Sequence, residues 1–178
     1  MHRRDSDLAR SLIDAASNLN GRIVADLASH PDLYFTGYVQ DAQKEYVEAL
    51  ATYSLVTGEP MQSPEQIGVA AAAFLNGLAE AVGELRRYVL DLLRRGEIES
   101  CEALLRMMDD IYGLLVTIDY PDALTSGLRR TTDATRAILE RTRGDLTFAL
   151  RQRDLESSLA RLEERLDRQL GADPPRSR

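Results

Sequence analysis

Leu78, Val82, Leu85, Val89 and Leu92 recur at alternating spacings of four and three residues. Only an α-helix returns side chains to one side at that interval, and such a seam packs against another helix. The same period runs through most of the chain. Leu8, Leu12, Ile13, Leu19, Ile23 and Leu27 share one side of a helix expected over 6–29. Phe35, Val39, Ala42, Tyr46, Leu50 and Tyr53 share one side of a second, over 33–57. The helix with the seam is expected over 64–95, opened by Ser63-Pro64-Glu65 and closed by Gly96. A fourth is expected over 98–118 and a fifth from 122 to at least 142, with a kink at Arg143-Gly144-Asp145. Leu155, Leu159, Leu162, Leu166 and Leu170 mark one more amphipathic stretch before a frayed end over 171–178. No segment alternates with period two for long, so the expected fold is all-α: a single antiparallel helical bundle of about six helices.

Residue usage narrows the chemistry. Cys101 is the sole cysteine, and His2 and His30 are the only histidines. These exclude a cysteine zinc cage, a disulfide within the chain and His-centred triads or iron sites. Cys101 and the Met107-Met108 pair read as packing. Carboxylates remain: 29 Asp and Glu stand against 22 Lys and Arg, a net charge of −7. The longest uncharged run, Gln66 to Ala79, falls short of the ~20 residues a membrane span needs. With no cleavable leader pattern at the N-terminus, the expected location is cytoplasmic, with no membrane partner.

Two acid pairs stand out. Glu45 and Glu48 lie about 60° apart on their helix with Asp41 between them, and Glu80 and Glu84 lie about 40° apart on the next. If the two faces meet, carboxylates that close require a cation, and oxygen ligands favour Mg²⁺ or Mn²⁺. Such an ion activates water and neutralises phosphate charge. The same pattern also describes a solvated acidic face. Glu80 and Glu84 point nearly opposite the apolar seam, beside Arg87 and Asp91. Ala73 and Gly77, on that same side, leave room for a helix to approach.

Read continuously, these segments resemble the translin family on its Trax (translin-associated factor X) side. Residues 37–49, with Glu45-Tyr46-Val47-Glu48, are similar to that family's "QEYVEA" helix. Residues 74–87, with Gly83-Glu84-Leu85, resemble its "YLLGVADLTGELMR" helix, and Arg95-Gly96-Glu97-Ile98 its "GDI" break. Residues 107–115 resemble its "LRQVYDGF" segment and 128–147 its closing helix. The likeness covers 5–150 and implies a translin-like α-α superhelix as the helical domain, leaving 151–178 as a C-terminal amphipathic helix and tail. It further implies closed, octamer-like homo-oligomeric shells that hold single-stranded RNA or DNA, with Trax-type subunits acting as Mg²⁺-dependent endoribonucleases. By position it assigns Glu45, Glu48 and Glu80 as catalytic and the same three with Glu84 as metal ligands. Glu80 stands where the family carries an aspartate, one methylene shorter.

An acidic chain needs a local basic surface to hold nucleic acid. Residues 121–153 carry seven arginines, Arg129 and Arg130 among them, against four acids. That stretch reads either as an RNA track or as a basic face paired with acidic neighbours. Lys44, the sole lysine, shares a helix turn with the acid pair and is a candidate phosphate contact, as is Arg87. Tyr38 and Tyr46 are candidates to stack a base, with Tyr46 also placed as core. Three functions are weighed: a Trax-like nuclease acting on single-stranded RNA, a translin-like oligomer that binds single-stranded RNA or DNA without cutting, and an all-α pyrophosphohydrolase of the MazG type. The MazG pattern fits less well, because its second pair is Glu-x-x-Asp at a shorter separation.

Overall fold

The seam residues Leu78, Val82, Leu85, Val89 and Leu92 are all buried, and the helix that carries them is the axis of the fold. The computed structural model describes residues 3–171, and among these it contains eight helices and no strand. In chain order they are α1 (Arg3–Asp26), α2 (Pro31–Tyr34), α3 (Gly37–Thr57), α4 (Pro64–Ile67), α5 (Ala71–Arg94), α6 (Ile98–Val116), α7 (Asp122–Thr125) and α8 (Leu128–Gly171). Five are long, and α2, α4 and α7 are single turns. α5 packs against α3, α6 and α8, while α1 leans on α3. The main core gathers Leu85, Val89, Met108, Leu115 and Leu139. A smaller one joins Ile13, Tyr46, Val47, Leu50 and Ile67 under α1. Cys101 is buried, its thiol aimed at the Val89 and Glu97 carbonyls, and Met108 is buried as well.

Two expected helices are each broken once. The stretch over 33–57 divides at Phe35-Thr36, so Phe35 leaves the apolar stripe and stacks edge-to-face on Tyr34, mostly exposed. The stretch over 64–95 divides at Gly68, which takes a left-handed conformation with φ 67° and ends α4. That turn is held by a buried polar set. Asn20 Nδ2 donates to the Ile67 and Gly68 carbonyls at 2.8 and 3.1 Å, and Gln43 Nε2 donates to Asn20 Oδ1 at 3.0 Å. The Ala70 amide donates to Gln43 Oε1 at 3.3 Å. One glutamine on α3 thereby fixes both α1 and the start of α5.

Where a kink is expected at 143–145 the helix is not interrupted: α8 runs unbroken for 44 residues. Its first half packs on α5 and α6, and Arg86 reaches across to donate to Thr142 Oγ1 at 3.0 Å and pair with Asp145 at 2.8 Å. From Asp154 to Gln169 its side chains are exposed. The frayed end expected at 171–178 lies, from 172 onward, outside the described residues. No described helix is long and apolar enough to cross a membrane.

Candidate metal centre

α3 and α5 cross where both are thin. Gly77 is buried, and Ala73, Ala81 and Ala51 keep the two backbones close. A Cβ built on Gly77 would lie 2.5 Å from the Lys44 carbonyl oxygen and 2.7 Å from Val47 Cβ. This contact turns the polar side of α5 toward α3 one turn further on, where Glu80 meets Glu45 and Glu48. One oxygen from each of these three lies within 4.8 Å of the others. Glu45 is exposed, while Glu48 and Glu80 are half-buried.

The crowding acts on Glu48, whose carboxyl is pushed above the usual 4.5 by burial first and then by the charges of Glu45, Glu80 and Glu84. Lys44 is the local counter-charge. Its ammonium donates to Glu80 Oε1 at 3.0 Å and stands 4.0 Å from Glu45. The bond to Glu80, with the charges of Glu80, Asp41 and Glu45, raises its pKa against the opposing effect of burial. Three acids and one lysine leave the cluster net negative. Its donors are all oxygen, at separations one hard cation bridges, and this chemistry fits Mg²⁺ or Mn²⁺.

The remaining candidates divide. Glu84 is outside the close trio and binds Arg87 at 2.6 Å, so Arg87, though exposed, is engaged by an acid. A groove of about 650 Å³ runs from the trio between α1, α3 and α5, lined by Glu45, Glu48, Tyr53, Glu84, Arg87 and Tyr88. On the other side of Glu80 a hollow of about 460 Å³ is lined by Glu80, Gly127, Arg130, Thr131 and Thr135. Arg130 therefore shares a hollow with Glu80, whereas Arg129 lines a separate one beside Asp119 and Tyr120. Arg143 and Arg153 are spent on Asp109 and Glu99. Tyr46 is core, and Tyr38 is exposed. The pairing of Lys44 with Glu80 across two helices had no sequence signal beyond the lone lysine; nor did the Asn20–Gln43 bond beneath it.

The all-α bundle that carries this cluster matches the fold of solved C3PO structures. The chain is 38% identical to AfC3PO, with a TM-score of 0.74 over 83% of this chain and 76% of that one. A second structure, AfC3PO with duplex RNA, gives 32% identity and a TM-score of 0.69 over 85% of this chain and 90% of that one. Apo-NeC3PO gives 25% and 0.69, over 82% and 84%. These are translin/Trax-type structures, and the chain belongs to the translin family. It is also 33% identical over 138 residues to the uncharacterised protein MJ0175 of Methanocaldococcus jannaschii, matching 77% of this chain but spanning only 61% of that relative. No family model matches.

Proposed function

We propose that this protein is a divalent-metal-dependent endoribonuclease of the Trax type, acting on single-stranded RNA in the cytoplasm as a closed, octamer-like homo-oligomer. The observation that carries the reading is the convergence of Glu45, Glu48 and Glu80 from two helices within bridging distance of one cation. Glu80, although a methylene longer than the family's aspartate, still reaches the other two. The three would hold Mg²⁺ or Mn²⁺, with Glu84 alongside, and the bound ion supplies an activated water for attack on a phosphodiester. Lys44, Arg87 and Arg130 border the cluster and would meet phosphate, with Arg129 further along α8. A neighbour of this fold has been solved with duplex RNA, which supports an RNA partner. The test is cleavage of unstructured and duplex RNA oligonucleotides with Mg²⁺ or Mn²⁺, beside Glu48→Ala. Metal-dependent cleavage lost in the variant is expected; equal rates overturn the reading.

A second reading, a translin-like oligomer that binds single-stranded RNA or DNA without cutting, is favoured by one observation. Lys44 already neutralises Glu80 at 3.0 Å, and a lysine in that place competes with a metal. Under this reading RNA binding persists in excess chelator and falls steeply with salt, as phosphate contacts release counterions.

A further inference from the structure

The outer half of α8 carries an apolar stripe that nothing among the described residues covers. Phe148, Leu155, Leu159, Leu162 and Leu166 are between 47% and 71% exposed. With Gln152 they follow one another at spacings of 4, 3, 4, 3 and 4, the a and d positions of a two-stranded coiled coil. Phe148, Leu155 and Leu162 take d, and Gln152, Leu159 and Leu166 take a. A soluble chain seldom leaves so long an ordered leucine seam in water. The segment has no glycine or proline between 145 and 170 to fold it back.

We infer that this half of α8 pairs in parallel with the same segment of a second copy of the chain. The inference rests on the self-association proposed above and is independent of the metal centre. The leucines alone do not choose a direction, because Leu159 meets Leu162, and Leu155 meets Leu166, equally well in an antiparallel pair. The flanking charges choose. The e positions are Ala149, Glu156 and Glu163, and the g positions are Arg151, Ser158 and Arg165. Parallel strands place each g beside the e five residues on in the partner, so Arg151 meets Glu156 on both sides and Ser158 meets Glu163. Antiparallel strands place e beside e, setting Glu156 against Glu163 twice. Arg151, Glu163 and Arg165 carry no ion pair among the described residues, so their charges remain for a partner. Gln152, already bonded to Glu156 Oε1 at 3.1 Å, is a polar a residue of the kind that fixes register.

The test is disulfide capture in the full-length chain. Gln152→Cys faces itself across a parallel pair, within reach of a disulfide, but lies more than two turns from its copy in an antiparallel one. Ser157→Cys, at the outward f position, is the control, and Cys101 is buried and does not take part. Under mild oxidation most of Gln152→Cys should become covalent dimer and little of Ser157→Cys. Light scattering of a Leu159→Asp/Leu162→Asp double variant should show at least a twofold loss of assembly mass with an unchanged melting profile for the bundle. No bond at 152, equal bonding at 157, or unchanged mass in the double variant overturns the parallel pair. If the wild-type chain is still oligomeric, self-association survives and the contact lies elsewhere, for instance on the exposed Leu8 and Leu12 of α1. If it is monomeric, the proposed assembly falls too.

Discussion

Gly77 faces the backbone carbonyl of Lys44 with no room for a side chain between them: a Cβ would stand 2.5 Å from that oxygen. Alanine in the middle of a helix is ordinarily worth about 1 kcal/mol over glycine. Here Gly77→Ala should instead destabilise the protein by about 2 kcal/mol, since backbone and Val47 both block the methyl. By prising α3 from α5 it should also weaken Mn²⁺ binding at Glu45, Glu48 and Glu80. Thermal melts with and without Mn²⁺ would show a lower Tm and a smaller metal-induced rise.

Glu48 works against folding in the metal-free protein. Its folded pKa is raised above 4.5, so the folded state holds the proton more tightly than the unfolded chain. The stability linked to this group is therefore full below 4.5 and is lost as pH rises through the raised value. Glu48→Gln should stabilise the metal-free protein at pH 7 by about 0.5 kcal/mol after solvent screening. That advantage should vanish below pH 4.5, where the wild-type carboxyl is neutral. Paired melts from pH 4 to 8, in chelator, would trace it, and the variant should lose metal-induced stabilisation.

Lys44 is expected to be both prop and competitor. Lys44→Met removes the charge that balances Glu80 and should cost the metal-free protein about 1 kcal/mol. The same change removes a positive charge from the rim of the trio, so Mn²⁺ should bind about threefold or more tightly. Calorimetric titration with Mn²⁺ gives the second quantity and urea unfolding the first.

Asn76 ties the entry of α8 to α5. Its Nδ2 donates to the Thr125 carbonyl at 2.9 Å, and its Oδ1 accepts from Thr131 Oγ1 at 2.8 Å, in a buried setting. Asn76→Ala removes the donor to the Thr125 carbonyl and leaves the Thr131 hydroxyl only its long contact to the Gly127 carbonyl, and should cost about 2 kcal/mol. The loss would appear as a lower urea midpoint with an unchanged m-value.

The helices were legible where an apolar stripe outlasts two turns, as in α5 and α6, because burial imposes one period on the sequence. Their breaks were less so. Gly68 sits inside an apolar run that reads as helix, and the side chains that hold its left-handed turn, Asn20 and Gln43, are distant in sequence. Gly144 misled in the other direction. Nothing packs within 4 Å of its missing side chain, and the neighbouring turns hold it helical. In the candidate site, Glu45 and Glu48 were visible as a pair, and Ala73 and Gly77 hinted that some helix would come close. The separation of Glu84 from the trio was not visible. There Glu84 pairs instead with Arg87, three residues on along its own helix.

α8 has one further property. At 1.5 Å per residue its 44 residues form a rod of about 66 Å, with roughly the last 30 Å clear of the bundle. Uninterrupted, it works as a gauge: whatever grips its tip fixes the distance and the azimuth of the acidic cluster at the same time. One residue inserted ahead of Phe148 would swing the bundle about 100° around the rod, and seven would nearly restore the bearing about 10 Å further out. The spacing of successive acidic clusters in an assembly gripped there is then set by a residue count in a single helix, and loop geometry has little say in it.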